Sequence, residues 1–353
     1  AEAQHIHDYG GEEADRQLLD PLFNAYAALA RARDARKPLE IITADLDVSL
    51  GPDGHVTNVH PQPHLEVHRL IEAYMIAANV AAADTMAVSN LPSMYRVHDQ
   101  PDPEKVEALR QFLHSLGYRL AKGVKLRPHH FNSILRRAVG TPHAEISNQV
   151  VLRAQSQASY SPVNTGHFGL ALTGYVHFTS PIRRYADLLV HRVLITALKL
   201  GGGGFADSDA ITLTETARHI SMTERRAIAA ERDTTARYLS AFLSGKEGSH
   251  FSARISGIGR AGAFVTFLDT GADALVPLRT FRDDYYRINE AHHCIVGERT
   301  ARTYRLGDAV EVELLEATGA TGGLVAAIIG GGKIDKTAHK RSRSTRRGPP
   351  RSL

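Results

Sequence analysis

Two adjacent arginines at a predicted helix start carry the clearest chemistry in the sequence. Residues 179–192 read TSPIRRYADLLVHR, and a Ser180 N-cap followed by proline predicts a helix whose first turn contains Arg183. The guanidinium groups of Arg183 and Arg184, beside the unpaired amides at the positive end of that helix, are typical of a phosphate-binding site. The alternative is that Arg183 pairs with Asp187, four residues further on, along an exposed helix.

Metal-ligand patterns are weak elsewhere in the sequence. Asp45 and Asp47 alternate on a predicted strand, which would point both carboxylates to the same face. The nineteen histidines include no H-E-x-x-H pattern. Cys294 is the single cysteine, so neither a cysteine zinc site nor an internal disulfide is expected. The residues alone therefore predict no metal ligands.

Helices are predicted over most of the N-terminal two thirds of the chain. They cover 65–85, a segment from an Asp102 N-cap to Gly117, 182–200 and 212–243, from apolar periodicity and from their start and stop residues. Residues 166–178 alternate in polarity and predict a strand or extended segment that leads into the two arginines.

The pattern changes after residue 245 to short alternating runs between glycine-rich turns, such as FSARISGIGRAGAFVTFL. Several short strands are typical of a small β-barrel of the OB type. The last residues are basic with almost no large apolar side chains, and we expect them to be disordered. The predicted class is α+β, with a largely helical portion over 1–245, the barrel over 246–329 and the tail over 330–353.

Charge is distributed unevenly along the chain. Lys and Arg number 42 against 38 Asp and Glu, but residues 333–353 alone hold eight basic side chains and one acidic one. The tail therefore carries +7 and the remaining 332 residues −3, which excludes a uniformly cationic surface. No run of ~20 apolar residues occurs, the N-terminal residues are unlike a targeting peptide, and one cysteine fits a reducing compartment. We expect a cytoplasmic chain with no membrane partner.

Several segments resemble one family, in the same order along the chain. Residues 177–192 (HFTSPIRRYADLLVHR) closely resemble the signature of the RNB-type exoribonucleases, the ribonuclease II/ribonuclease R superfamily. Residues 68–83 (HRLIEAYMIAANVAAA), 95–117 and 221–233 (SMTERRAIAAERD) resemble other parts of the catalytic domain. Residues 283–291 (DDYYRINEA) are similar to the S1-type RNA-binding domain that follows it. The resemblance implies the C-terminal portion of an RNB catalytic domain and an S1-type barrel.

The resemblance also implies a substrate and roles for single residues. Members degrade single-stranded RNA from the 3′ end and release nucleoside 5′-monophosphates. Arg183 matches the arginine that contacts phosphate at the scissile end. Glu72 matches a position that favours RNA over DNA, as a carboxylate accepting from a ribose 2′-hydroxyl would. Glu231 matches a glutamate beside the RNA path, with a solvated helix face as the alternative. The other expected RNA contacts are Ser180, Arg184, Tyr185 and Phe264.

One departure from the family concerns the metal. In the family, Mg²⁺ is held by an aspartate cluster of the D-x-D-D type, upstream of every segment matched here, and activates the water that attacks the terminal phosphodiester. The nearest approach is Asp45 and Asp47, whose context matches a non-catalytic strand. The resemblance therefore implies Mg²⁺ as the family's cofactor, but we expect its ligands not to be in this chain. We accordingly expect that the chain alone does not hydrolyse RNA.

Two explanations of this departure stay open. Either an upstream half lies outside this sequence, or the chain is a natural truncation that serves as an RNA-binding or scaffold protein. The expected partners are single-stranded RNA, the missing N-terminal half, and structured RNA or the ribosome through the basic tail.

The barrel departs from its family as well. Ala261 stands where S1-type domains usually carry an aromatic side chain, and Pro277 where they often carry histidine. Phe251, Phe264 and the Tyr285–Tyr286 pair remain candidates for base stacking, with a place in the core as the alternative for a phenylalanine in an alternating strand. Weak, electrostatic RNA binding is expected from this module.

Overall fold

A computed structural model of the chain describes residues 13–42, 46–62, 64–289 and 293–335. Within them, the helices are α1 (Glu13–Arg36), α2 (Glu66–Ser89), α3 (Pro103–Ser115), α4 (Pro128–Ala138), α5 (Ala144–Ala154), α6 (Tyr185–Leu198) and α7 (Asp207–Leu243). Four short strands lie between them: β1 (Leu46–Leu50), β2 (Val56–Pro61), β3 (Tyr95–Val97) and β4 (Ser159–Ser161). The described residues include no helix long and apolar enough to cross a membrane.

Helix α3 begins and ends as its sequence predicts. The Asp102 carboxylate accepts hydrogen bonds from the backbone N–H of Glu104 (2.8 Å) and Lys105 (3.2 Å), which would otherwise have no partner in the first turn. Gly117 lies just beyond the helix at a φ of +84°, a conformation that favours glycine. Capping chemistry is local, and it can therefore be read from sequence.

The chain forms two compact units. Unit 1 comprises residues 1–42, 63–139 and 150–227, and unit 2 comprises 43–62, 140–149 and 228–353.

Helix α6 runs through the hydrophobic interior of unit 1. Val190 and Val193 pack in one cluster with buried side chains of α2, and Ala186 and Leu189 pack in a second cluster with Met94 and buried residues of α7. Burial on two sides orients the start of α6, where the predicted phosphate site lies.

The segment 166–178 approaches this helix start without forming a regular strand. It is tied to its neighbours by isolated bridges, such as Tyr95 with Val176 and His98 with His167. The backbone N–H of Arg96 donates to the Tyr175 carbonyl at 2.9 Å. The segment is therefore held by single contacts from several elements rather than by a continuous ladder.

Unit 2 contains a closed five-stranded barrel of β5 (His250–Gly259), β6 (Gly262–Phe267), β7 (Asp273–Pro277), β11 (Ala309–Thr318) and β12 (Gly323–Gly331). Its order is β11-β12-β7-β6-β5, and only β7 and β12 among these pairs run parallel. Alternate residues of these strands fill the interior, with Ile255, Val265 and Phe267 fully buried. The predicted α+β class, with a helical portion followed by a small barrel of the S1/OB type, is confirmed.

Four further strands form a second, smaller sheet in unit 2: β8 (Tyr286–Asn289), β9 (Cys294–Gly297), β10 (Arg302–Arg305) and β13 (Lys333–Ile334). Because β12 runs to Gly331 and β13 follows it, the ordered strands extend past residue 329, where the tail was predicted to begin. The rest of the predicted tail, 336–353, lies outside the described residues.

Candidate nucleic-acid interface

Residues 180–184 form a turn that precedes helix α6. The Ser180 carbonyl accepts hydrogen bonds from the backbone N–H of Arg183 (3.3 Å) and Arg184 (3.2 Å). The helix begins at Tyr185, with Arg184 as an extended N-cap residue whose side chain makes no capping hydrogen bond. The predicted start at residue 182 is therefore wrong by three residues.

A buried carboxylate explains the late helix start. Asp187, the third residue of α6, is completely buried, and its Oδ1 accepts from the Ser180 backbone N–H at 2.8 Å. The Arg184 guanidinium donates to the same carboxylate through Nε (2.9 Å) and Nη2 (2.8 Å). Asp187 therefore pairs with Arg184, whereas the alternative considered from spacing was a pair with Arg183. Such a bidentate, charge-assisted pair holds the guanidinium in one plane.

Arg183 has no such partner. It is exposed, and among the described residues its side chain makes no hydrogen bond or ion pair. Ile182 and Tyr185 nearby are exposed as well, Tyr185 to 47%. The turn thus presents one uncommitted guanidinium beside an accessible aromatic ring. This combination can bind a phosphate and stack on a base.

Two side chains, a buried asparagine and a partly buried histidine, hold the backbone just before the turn. Asn79 of α2, only 2% exposed, accepts from the Phe178 backbone N–H at 2.8 Å and donates to the Tyr175 hydroxyl at 2.9 Å. The imidazole Nε2 of His191 lies 2.8 Å from the Phe178 carbonyl, and the two rings stack at 4.5 Å. A side chain of α2 therefore holds the backbone N–H of Phe178, and a side chain of α6 holds its carbonyl.

Glu72 lies on an exposed position of α2 and acts electrostatically on the same region. Burial raises the pKa of the Tyr175 hydroxyl, the hydrogen bond from Asn79 and the Arg184 guanidinium oppose that rise, and the Glu72 carboxylate adds to it. The structure therefore brings Glu72 and Arg184 within electrostatic reach of one tyrosine.

Two partly buried imidazoles in the segment before the turn are uncharged at neutral pH. Burial, followed by the nearby Arg184 and Arg96, lowers the pKa of His177 to about 3. Burial and His98 lower the pKa of His167 to about 3 as well. His177 Nδ1 is 2.8 Å from the Tyr160 hydroxyl, which gives the neutral ring a hydrogen-bond partner. The positive charge at this site therefore comes from the arginines.

The described residues contain no cluster of three or more His, Cys, Asp or Glu side chains that could hold a metal ion. Asp47 is half exposed and lies 3.5 Å from His60 Nε2, and Asp45 lies outside the described residues. Asp187 is already committed to three donors. Since Mg²⁺ needs several oxygen ligands in near-octahedral geometry, neither Asp47 nor Asp187 fits it.

Two predicted contacts lie in unit 2. Glu231 is exposed and lines a cleft of about 770 Å³, together with Arg232, Thr235 and Asp273 among others. Phe264 of β6 is 43% exposed and lies against Gly257, so its ring is available on the barrel surface.

The other aromatic candidates of the barrel divide by burial. Tyr285 is 67% exposed, whereas Phe251 packs on Phe267 at 4.7 Å and Tyr286 is buried with Phe281. Phe251 thus packs against the core of unit 2, as the alternative for a strand phenylalanine predicts, and Tyr286 is buried in that core, whereas Phe264 and Tyr285 are the exposed rings of the four.

A model of the RNB domain matches residues 2–200, more than half of the chain. The chain belongs to the RNB family. It is 37% identical over 301 residues to ribonuclease R of Aquifex aeolicus. This aligned stretch covers 84% of this chain and 43% of that protein. It is 34% identical over 307 residues to ribonuclease R of Escherichia coli, again over 84% of this chain and 37% of that protein. The chain therefore spans about two fifths of the length of these curated relatives.

The fold agrees with that assignment. Ribonuclease R of Mycoplasma genitalium, solved in complex with ribose-methylated single-stranded RNA, superposes with a TM-score of 0.87 at 24% identity. The match covers 93% of this RNB chain and 52% of that one. At this identity the likeness establishes a shared fold, and the residue roles must be argued from this chain's own geometry.

Three side chains that organise the site were not among the residues that the sequence predicted to contact RNA. Asp187 was considered only as a partner of Arg183, and Asn79 and His191 were not considered at all. A usable signal existed, because each is a polar residue on the apolar stripe of a helix, and a buried polar side chain needs a partner. The partners themselves lie up to 99 residues away in sequence, so spacing could not identify them.

The partly buried, neutral His177 predicts an acid-sensitive stability. Because the folded chain keeps His177 neutral while the unfolded chain binds a proton below about pH 6.5, stability is lost as the pH falls from 6.5 toward 3. His177→Gln should make this loss shallower, by up to about 1.4 kcal/mol per pH unit for one proton. Urea unfolding midpoints between pH 7.5 and 4.5 measure it. The exposed His219→Gln is the control, and equal slopes for His177→Gln and the unsubstituted chain would contradict the buried, neutral state.

Proposed function

We propose that this chain binds the 3′ end of single-stranded RNA as part of a ribonuclease R-type 3′→5′ exoribonuclease that releases nucleoside 5′-monophosphates. The observation that carries the proposal is the exposed, uncommitted Arg183 on a turn held from behind by Asp187. A guanidinium already fixed at its backbone binds a phosphate with a smaller loss of conformational entropy. The RNA in the ribonuclease R structure of Mycoplasma genitalium supports this choice of ligand.

Each predicted contact then has a distinct role. Arg183 binds the phosphate at the RNA terminus, and Glu72 accepts a hydrogen bond from a ribose 2′-hydroxyl, which DNA cannot donate. Tyr185 stacks on a base beside that phosphate. Arg184 contributes through its Nη1 group, which Asp187 leaves open, and Ser180 contributes its side-chain hydroxyl. In unit 2, we assign contacts further along the strand to Glu231 and Phe264.

Hydrolysis requires groups beyond those described. In RNB enzymes, Mg²⁺ supplies the activated water and stabilises the developing charge. No described carboxylates fit this ion, so we propose that its ligands come from outside the described residues and that the chain alone does not cleave RNA. We also propose that the substrate is cytoplasmic RNA. The one cysteine of the chain, Cys294, is buried and forms no disulfide, which fits a reducing compartment.

A second function uses the same RNA site without chemistry. In it, the chain is a catalytically inert RNA-binding or scaffold protein, docked on structured RNA or the ribosome through the basic residues after 335. The lack of a carboxylate cluster among the described residues favours it. The two functions differ in what they recognise, because an exonuclease site needs a free 3′ end and a scaffold does not.

The first test concerns hydrolysis. The 353-residue chain, incubated with Mg²⁺ and a 5′-labelled single-stranded oligoribonucleotide, should yield no ladder of shortened products on a sequencing gel, because the proposal places the metal ligands outside this chain. Ribonuclease R of Escherichia coli serves as the positive control. Processive shortening that Arg183→Ala abolishes would show that the chain holds metal ligands after all.

The second test concerns the RNA terminus. Arg183→Ala should weaken binding of a linear oligoribonucleotide about tenfold or more, the usual loss for a charge-assisted hydrogen bond. Fluorescence anisotropy measures it. Arg218→Ala, an exposed arginine of α7 in the same unit, should leave affinity within about twofold.

A circular oligoribonucleotide of the same sequence separates the two functions. Recognition of the 3′ end predicts weaker binding of the circle and little effect of Arg183→Ala on what remains. Equal affinities for linear and circular RNA would favour the scaffold.

A further inference from the structure

Among the described residues, the carboxylate of Asp187 is the one side-chain group of another residue that binds both ends of the 180–184 turn. Its Oδ1 receives the Ser180 backbone N–H at 2.8 Å and the Arg184 Nη2 at 2.8 Å, and its Oδ2 receives the Arg184 Nε at 2.9 Å. The side chain of Asp187 is completely buried. Three donors satisfy it, as a carboxylate withdrawn from water requires.

Nothing else among the described residues holds the middle of this turn. Pro181, Ile182 and Arg183 are exposed, and Ile182 buries none of its side chain. The only hydrogen bonds within the stretch run from the backbone N–H of Arg183 and Arg184 to the Ser180 carbonyl. The conformation at Arg183 therefore depends on where Ser180 and Arg184 are held.

The chain before the turn is fixed independently of Asp187. Asn79 binds the Phe178 N–H and His191 binds the Phe178 carbonyl, both at 2.8 Å. The chain after the turn is fixed by the burial of Ala186 and Leu189 in unit 1. Loss of the Asp187 carboxylate would therefore release residues 180–184 between two anchored ends, without detaching the segment from the fold.

We propose that Asp187 is a positioning residue for RNA binding, which acts through Arg183 and does not touch RNA itself. The inference rests on the proposed function, since it takes Arg183 to be the phosphate ligand. Asp187 neutralises and occupies one arginine of the pair, and it holds the turn on which the other, uncommitted arginine projects. Arg184 thus closes the turn through Nε and Nη2, with only its Nη1 group left for a secondary RNA contact, and Arg183 is the main phosphate ligand.

A purely structural role for Asp187 makes a different prediction. Breaking one side of a buried ion pair destabilises a protein generally. A general loss of order would weaken RNA binding by an amount independent of Arg183, so that the effects of the two substitutions would multiply. A positioning role requires that they do not, because Asp187 has nothing left to position once Arg183 is gone.

A double-mutant cycle on the full chain decides between them. Arg183→Ala, Asp187→Asn and the double variant are compared by anisotropy with a linear, 3′-hydroxyl single-stranded oligoribonucleotide, at a temperature where circular dichroism shows all of them folded. We expect each single variant to bind about tenfold more weakly and the double variant to bind no more weakly than Arg183→Ala alone. A double variant near a hundredfold weaker, or an Asp187→Asn variant with unchanged affinity, would overturn the inference.

A second background keeps the test valid if Asp187→Asn does not fold. The pair Arg184→Met with Asp187→Leu replaces the buried ion pair by apolar side chains, a change that proteins often tolerate, and still removes the acceptor of the Ser180 N–H. In that background Arg183→Ala should cost less than about twofold in affinity. A full tenfold cost there would show that Arg183 is placed without Asp187.

The same data separate this inference from the function on which it rests. If Arg183→Ala alone leaves affinity for linear RNA unchanged, the proposed phosphate site fails, and the positioning role fails with it. If Arg183→Ala weakens binding but the cycle is multiplicative, the phosphate site stands and only the role of Asp187 is lost.

Discussion

A single buried carboxylate organises the 180–184 turn of this RNB chain. Asp187 has no contact with water, and a charge withdrawn from water is tolerated only where donors replace the hydration it loses. The donors available to it are the Ser180 amide and the Arg184 guanidinium. To bring both donors to the carboxylate, the chain makes a turn before helix α6. Arg183 lies on this turn as the exposed cation. The position of the group that we propose to bind phosphate is thus a consequence of how a buried charge is paired.

The surroundings of the turn limit the charge at this site to those arginines. His167 and His177 lie close by, and burial keeps both imidazoles neutral at physiological pH. Nor does the rest of the chain supply a cationic field, because residues 1–332 carry a formal −3. In the proposed function, attraction for RNA on the described surface therefore depends on local placement of a few groups, and the basic residues beyond 335 add affinity without selecting where the RNA terminus binds.

Sequence reasoning succeeded where structure is local or repeated. The Asp102 cap and Gly117 stop follow from the chemistry of neighbouring residues, and the barrel follows from alternation between glycine-rich turns. Sequence reasoning failed at the start of α6. Ser180 followed by proline is a good N-cap signal, but the Ser180 amide is instead bound by the side chain of Asp187, seven residues further on. The choice of Arg184 over Arg183 as the partner of Asp187 could not be predicted either, because spacings of three and four residues both allow a pair on a helix, and only burial decides between them.

The most direct test of this account observes the two arginines separately. In a chain labelled with ¹⁵N-arginine, the Nε–H resonances of Arg183 and Arg184 can be assigned from the Arg→Lys variants. We predict that Arg184 gives a signal protected from solvent exchange before RNA is added, because Asp187 binds its Nε–H, and that it moves little on addition of a linear oligoribonucleotide. Arg183 should exchange rapidly in the free chain and become protected and shifted with RNA. A free Arg184 signal, or an Arg183 signal unchanged at saturating RNA, would contradict the division of roles on which the account depends.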